Sequence, residues 1–244
     1  MTDRLMHPPV QLYHRVAELG AAGAGRRLFE RQIAYLARNG YRTLTPAEFV
    51  HAIDEATWSR KSLLLTFDDG YLDFYTHAFP ILRDAGLSAT VFLVCDVLEG
   101  RADAWCGPHP IPMPPTMDWP QVLEMRRHGI HFGSHGLSHA PLGGLGAKEL
   151  ADETAGSRAA LERGLGEEVL LFAYPYGDCT ESARAAVESA GYAAAFGVSP
   201  AESRRYEISR RVVRPAATTL PFRLRVSAAY RPLRRMSHLV RGDS

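Results

Sequence analysis

Net charge is almost absent from this chain. Its 244 residues carry 28 lysines and arginines against 27 aspartates and glutamates, a formal +1. Such a balance argues against a protein built mainly to bind nucleic acid or another anionic polymer. Cysteine is scarce too: Cys95, Cys106 and Cys179 are odd in number and show no CxxC spacing. That pattern suits reduced thiols in a cytosolic protein better than a disulfide framework. No apolar run reaches the length of a transmembrane helix, and the opening MTDRLMHPPVQLYH has two prolines and no long apolar stretch of the signal-peptide kind. A cytoplasmic location is therefore expected. Internal repeats are missing as well, and no linker interrupts the chain before about residue 217. What remains is an ordinary soluble composition, 46% apolar and 23% charged, at a length that suits one large α/β unit.

The chain is organised around Leu63 to Gly70, LLLTFDDG. Three leucines, Thr66 and Phe67 suit a strand buried on both faces, and it stops at two adjacent carboxylates, Asp68 and Asp69. Either side of it, strand-like and helix-like segments alternate. Val10 to Tyr13 reads as a first strand ending at His14, and Arg27 to Gly40 as a helix with a glycine stop. Thr45-Pro46 opens a second helix, with threonine as cap and proline in the first turn. Beyond Gly70 the pattern predicts a helix over Tyr75–Ala85, a strand over Ala89–Val94, a helix over Gln121–His128 and a strand over Ile130–Phe132. It continues with a helix over Lys148–Gly164, a strand over Val169–Ala173, a helix over Glu181–Gly191 and strands over Tyr192–Gly197 and Ile208–Val213. The alternation points to a parallel sheet or a (β/α) barrel in one domain. Residues 100 to 120 break the rhythm with six prolines, the composition of a lid or binding loop.

Four strand ends carry residues with chemistry to offer. An acidic pair at the C-terminal end of a buried strand is where α/β folds place their reactive groups. By itself DDG also reads as a helix cap or a solvated turn. His135 and His139, in HGLSH, are four residues apart, so a helical turn would put both imidazoles on one face, able to share a metal. Surface histidines are the equal alternative. Two histidines and one aspartate leave open positions on a divalent ion, as catalytic rather than structural sites do. Ala173 to Gly177, AYPYG, marks a third strand end or a plain turn, and Tyr13-His14 a fourth, where a lone histidine is more often structural.

TFDDG, ATVFLV, SHGLSH and YPYG in this order resemble the polysaccharide deacetylase family (carbohydrate esterase family 4), over about Val10 to Val213. The opening LYHRV, the segment GYRTLTPAEF and the lack of a late LxH motif resemble a permuted branch that includes poly-N-acetylglucosamine deacetylases. The resemblance implies a distorted (β/α) barrel over residues 1–217, followed by a basic tail or helix over 218–244. It implies that Asp69, His135 and His139 hold one divalent metal, most often zinc. Asp68 would be the general base, His14 the general acid, and the backbone N–H of Tyr176 a donor to the oxyanion. The implied reaction is hydrolysis of the acetamido group of an N-acetylated sugar, either an intracellular intermediate or a lipid- or nucleotide-linked glycan precursor. A metal-dependent amidase for a non-sugar C–N bond is one alternative, and a non-catalytic sugar-binding homologue another.

One departure from the family pattern bears on the site. Ala173 stands where an arginine commonly pairs with the catalytic aspartate, so Asp68 lacks an obvious partner. Glu207-Ile-Ser-Arg210-Arg211 resembles a late strand that brings an arginine near the site. Arg210 is the expected partner, with Arg211 as alternate and a pair of surface arginines as the plain reading. In the irregular segment, Trp105, His109, Met113, Asp118 and Trp119 could wall a substrate groove, although Trp119 also suits the core. The tail from Pro221 interleaves six arginines with apolar residues. A packed or solvated helix and a peripheral membrane contact both fit that mix.

Overall fold

The computed structural model describes residues 5–17, 24–101, 114–198 and 203–213, together with Phe222, Arg223 and Val226. Its centre is a sheet of eight parallel strands. These are β1 (Val10–Tyr13), β4 (Arg42–Thr43), β5 (Ser62–Phe67), β6 (Thr90–Leu93), β7 (His131–Ser134), β8 (Leu171–Ala173), β9 (Ala194–Phe196) and β10 (Arg211–Val212). A separate short pair, β2 (Val16–Ala17) and β3 (Ala24–Gly25), follows β1. The main path runs β10-β1-β5-β6-β7-β8-β9, with β4 beside the start of β5. The two ends of that path are brought together by the segment 204–212. Phe196 of β9 forms a parallel bridge to Ile208, and three residues later Arg211 pairs with Gln11 of β1. The sheet is thus a distorted barrel closed by its last segment.

The helices are α1 (Arg26–Arg38), α2 (Pro46–Asp54), α3 (Phe79–Asp84), α4 (Cys95–Leu98), α5 (Trp119–Arg127), α6 (Ala147–Ala151), α7 (Ser157–Leu165) and α8 (Glu181–Ser189), and all but the short α4 overlap helices that the sequence predicts. Local chemistry explains several boundaries. Thr45 Oγ1 accepts from the Glu48 N–H while the Glu48 carboxylate accepts from the Thr45 N–H, a reciprocal cap with Pro46 in the first turn. Asp118 and Gln121 cap α5 in the same way. Asp118 is therefore engaged as a cap rather than as a groove wall, and the Trp119 ring packs against Gly164 of α7. Trp105, His109 and Met113 lie outside the described residues. A π turn over Asp152–Gly156 joins α6 to α7, and another over Phe74–Ala78 precedes α3.

Each strand separates two cores because successive side chains face opposite ways. Leu63, Leu65 and Phe67 of β5, Val91 and Leu93 of β6 and Phe172 of β8 pack outward under the helices. Leu64, Phe92, Leu171, Ala173, Ala194 and Phe196 face inward with Val10, Ile208 and, from α2, Phe49 and Ile53. Phe222 and Val226 are buried in the outer core, so the start of the basic tail packs there. Most of the tail lies outside the described residues. Among those described, no helix is long and apolar enough to cross a membrane.

Gly133 of β7 decides how closely the inner core packs. A Cβ there would come within 2.6 Å of the Phe92 ring and 2.8 Å of the Leu171 carbonyl oxygen. Gly133→Ala should therefore cost about 1–3 kcal/mol through overpacking. A lowered urea midpoint at unchanged m-value would show it.

Candidate metal and hydrolytic site

Phe67 is the last residue of β5, and the backbone then turns sharply enough for both following carboxylates to face one cleft. Asp69 takes a left-handed conformation (φ 78°), uncommon for a residue with a side chain. Such a conformation costs on the order of 1–3 kcal/mol and persists only where the surroundings hold it. The hold is visible on both sides. The Asp68 N–H donates to the Tyr13 carbonyl at 3.1 Å, and Gly70 and Leu72 exchange backbone hydrogen bonds with Met117 and Pro115 at 2.9 and 2.8 Å. The proline-rich segment thus returns to brace the acidic turn. Arg15 adds an ion pair to Asp73 at 2.7 Å, tying the end of β1 to the same turn.

Asp68, Asp69, His135 and His139 are all buried. Asp69 Oδ1 lies 3.4 Å from Nε2 of both His135 and His139, and the three side chains offer ligand atoms within 4.8 Å of one another. At 3.4 Å these pairs are long for hydrogen bonds. They match the spacing of two ligands on one tetrahedral ion with bonds of about 2.05 Å. His135 Nδ1 donates to the Ala173 carbonyl at 2.7 Å, which leaves Nε2 as the lone-pair donor toward Asp69. The donor set and its orientation therefore fit a divalent metal. Burial favours neutral rings. His139 stays below its ordinary pKa for that reason, although Asp69 opposes the effect. His135 is carried back above its ordinary value by Asp68 and Asp69.

The two histidines do not share a helical face, contrary to the sequence expectation. Gly136 (φ 85°) and His139 (φ 64°) are left-handed, and the segment between them is a loop. The loop is held from both sides. Its Gly136 and Leu137 carbonyls accept from the Cys95 and Asp96 N–H groups, while its Leu137 and Ser138 N–H groups donate to the Glu153 carboxylate. Sequence reading assigned Glu153 nothing. The signal was a glutamate on the apolar stripe of the 147–165 helix, in step with Leu150, Ser157 and Leu161.

Asp68 meets Arg210. The guanidinium donates through Nη1 to Oδ1 at 2.6 Å and through Nη2 to Oδ2 at 2.8 Å, and its Nε donates to the Gly197 carbonyl at 3.2 Å. Arg210 is itself buried, its guanidinium 5.6 and 5.8 Å from the Phe92 and Phe196 ring centres. Burial pushes the Asp68 carboxyl up, but Arg210, with His135 and His14 behind it, more than offsets this and leaves it below the ordinary carboxylate range. Arg211 lies on β10 opposite Gln11, and Ala173 keeps only a methyl in the inner core. His14 is exposed, one residue past Tyr13 at the end of β1. Tyr176 is left-handed (φ 58°), with its exposed ring edge-on to His139 at 4.6 Å. Cys179 is half-buried, and burial pushes its thiol up, the opposite of what a nucleophile requires.

The polysaccharide deacetylase family model matches residues 55–195, more than half of the chain. That span contains Asp68, Asp69, His135, His139 and Tyr176 but neither His14 nor Arg210. YxkH of Bacillus subtilis (strain 168), assigned by name to the polysaccharide deacetylases, is 29% identical over 205 residues, covering 84% of this chain and 69% of that protein. The poly-beta-1,6-N-acetyl-D-glucosamine N-deacetylase of Escherichia coli (strain K12) is 43% identical over 108 residues, 43% of this chain and 16% of that protein. In fold, the chain is similar to the Streptococcus pyogenes deacetylase PplD, solved in complex with acetate. The TM-score is 0.82 at 20% identity, over 91% of this chain and 99% of that one.

The Asp68–Arg210 pair gives a pH-dependent stability with a definite sign. Because the folded carboxyl lies below its ordinary value, the pair stabilises above about pH 4 and loses that contribution as the pH falls through the lower folded value. Arg210→Met leaves a buried carboxylate unopposed, at a cost of about 3–5 kcal/mol near neutrality. Burial then raises the carboxyl, so this variant should be relatively most stable below about pH 4 and weaken as the pH rises. Urea melts of both proteins at pH 4 and pH 7 should show the gap widening toward pH 7.

Proposed function

Because the chain belongs to the polysaccharide deacetylase family, we propose that it is a metal-dependent hydrolase that removes the acetyl group from an N-acetylated sugar. The observation that carries this reading is a buried Asp69–His135–His139 trio lying against a second carboxylate clamped by an arginine. Asp69, His135 and His139 would hold the ion, and zinc suits one oxygen and two nitrogen donors. Bound there, it supplies Lewis acidity that polarises the amide carbonyl and acidifies water.

The remaining work falls to the chain's own groups. Asp68, kept ionised and fixed in orientation by Arg210, takes the proton from the attacking water. Its position beside the trio supports this role, with Oδ2 4.0 Å from His135 Nε2. His14, exposed at the end of β1, returns a proton to the departing amine nitrogen. The backbone N–H of Tyr176 donates to the oxygen on which negative charge develops. The acetyl group leaves as acetate and the sugar keeps a free amine, so one water is consumed.

The substrate is proposed as a sugar acetamide in an oligosaccharide or in a lipid- or nucleotide-linked precursor. Metal-stripped protein reloaded with zinc should release acetate from one of three probes: β-1,6-linked N-acetylglucosamine oligomers, a UDP-linked N-acetylated sugar, or an undecaprenyl-linked one. Asp68→Asn should cut turnover by about 10²–10⁴-fold while leaving zinc affinity within a few-fold. Asp69→Asn should abolish zinc binding as well as turnover. If no probe releases acetate, and wild type and Asp69→Asn bind zinc equally, the proposal is wrong.

A further inference from the structure

Glu153 is 6% exposed, and among the described residues no lysine, arginine or histidine forms an ion pair with it. Its charge is met by donors from one loop. Oε2 accepts from the Leu137 N–H at 2.8 Å and the Ser138 N–H at 3.1 Å, and Oε1 from the Ser138 hydroxyl. A charged acceptor makes these stronger than neutral hydrogen bonds. The fit is close enough to dictate the neighbouring residue, since a Cβ on Gly136 would lie 2.7 Å from Glu153 Oε2.

The helix presents Glu153 through its π turn, a departure frequent at functional sites. That turn is pinned from below. The Ser157 hydroxyl donates to the Glu153 carbonyl at 2.6 Å and accepts from Ser134 Oγ at 2.8 Å. Ser134 Oγ in turn accepts from the Gly136 N–H at 3.2 Å. One connected set of polar contacts therefore runs from Ser134, which precedes His135, through Ser157 to the glutamate beneath the residues that precede His139.

We propose that Glu153 is a positioning residue for His139. Its carboxylate holds the 136–138 loop so that the second imidazole is already aimed at Asp69 and His135 before an ion arrives. The consequence for zinc rests on the metal reading above. The effect on the loop does not.

Two measurements test it. In metal-free Glu153→Gln, amide hydrogen exchange at Leu137 and Ser138 should accelerate about tenfold or more, with the amides of β6 and β7 unchanged. In the same variant, calorimetry should show zinc binding weakened by about 10–100-fold. A purely structural role would lower the melting temperature and leave both quantities unchanged in the folded protein. Ser138→Ala, which removes one of the contacts, should move both in the same direction by less, and it carries the test if Glu153→Gln does not fold. Unchanged exchange at Leu137 and Ser138 overturns the proposal. So does unchanged zinc affinity in a protein whose Asp69→Asn variant binds none. If Asp69→Asn binds zinc as wild type does, the metal reading falls and the exchange result alone decides: acceleration supports the role of Glu153, and its absence refutes it.

Discussion

The constraint on which this site depends is that Asp68 is buried and still charged. Desolvation alone would neutralise such a carboxyl, and a neutral acid cannot accept a proton. Arg210 prevents that with a two-pronged contact from within the barrel, between the rings of Phe92 and Phe196. Against a well-packed apolar replacement of both residues the pair adds little net stability, because two desolvated charges recover little more than they lose. What it supplies is an orientation and a protonation state. Much of the inner core follows from it. The rings must leave room for a guanidinium, Gly133 must let Phe92 approach, and the segment carrying Arg210 must lie between β9 and β1.

The order of the main elements was legible in the sequence because β1, β5, β6 and β8 are short apolar runs and the longer helices keep their stripe, whereas the two-residue strands β2, β3 and β4 and the short α4 carry no such pattern. The strand ends were legible because acidic, histidine and proline residues interrupt those runs abruptly. Arg210 could be named as a candidate but not separated from Arg211 by pattern alone. In a short strand the two differ only in which face they address, and that depends on a register visible only once β10 lies against β1. Ala173 left a gap in the motif that the fold fills from a residue 37 positions later. The loop between His135 and His139 was misread as helical because i, i+4 spacing carries no information about a left-handed glycine. Glu153 was missed because a carboxylate in a helix usually belongs on the solvent side.

The two adjacent aspartates show how one strand end can address two different environments. A positive φ at Asp69 turns its side chain to the histidines, while Asp68, still in line with β5, faces the inner core. The environments then diverge. One carboxylate is surrounded by imidazoles and the other by a guanidinium. The strained turn between them is braced by the strand before it and by the segment 115–117 after it. Neighbours in sequence thus meet different partners, and the positive φ at Asp69 marks the divide.

The closure of the sheet by residues 204–212 also bears on how the protein is made. Asp68 emerges from a ribosome 142 residues ahead of the arginine that neutralises its burial. Until that arginine is available, β5 can pair with β6, but Asp68 lacks its principal counter-charge. The incomplete barrel is then best satisfied with that end open to water. Sealing the sheet and supplying the counter-charge to Asp68 therefore depend on one and the same segment.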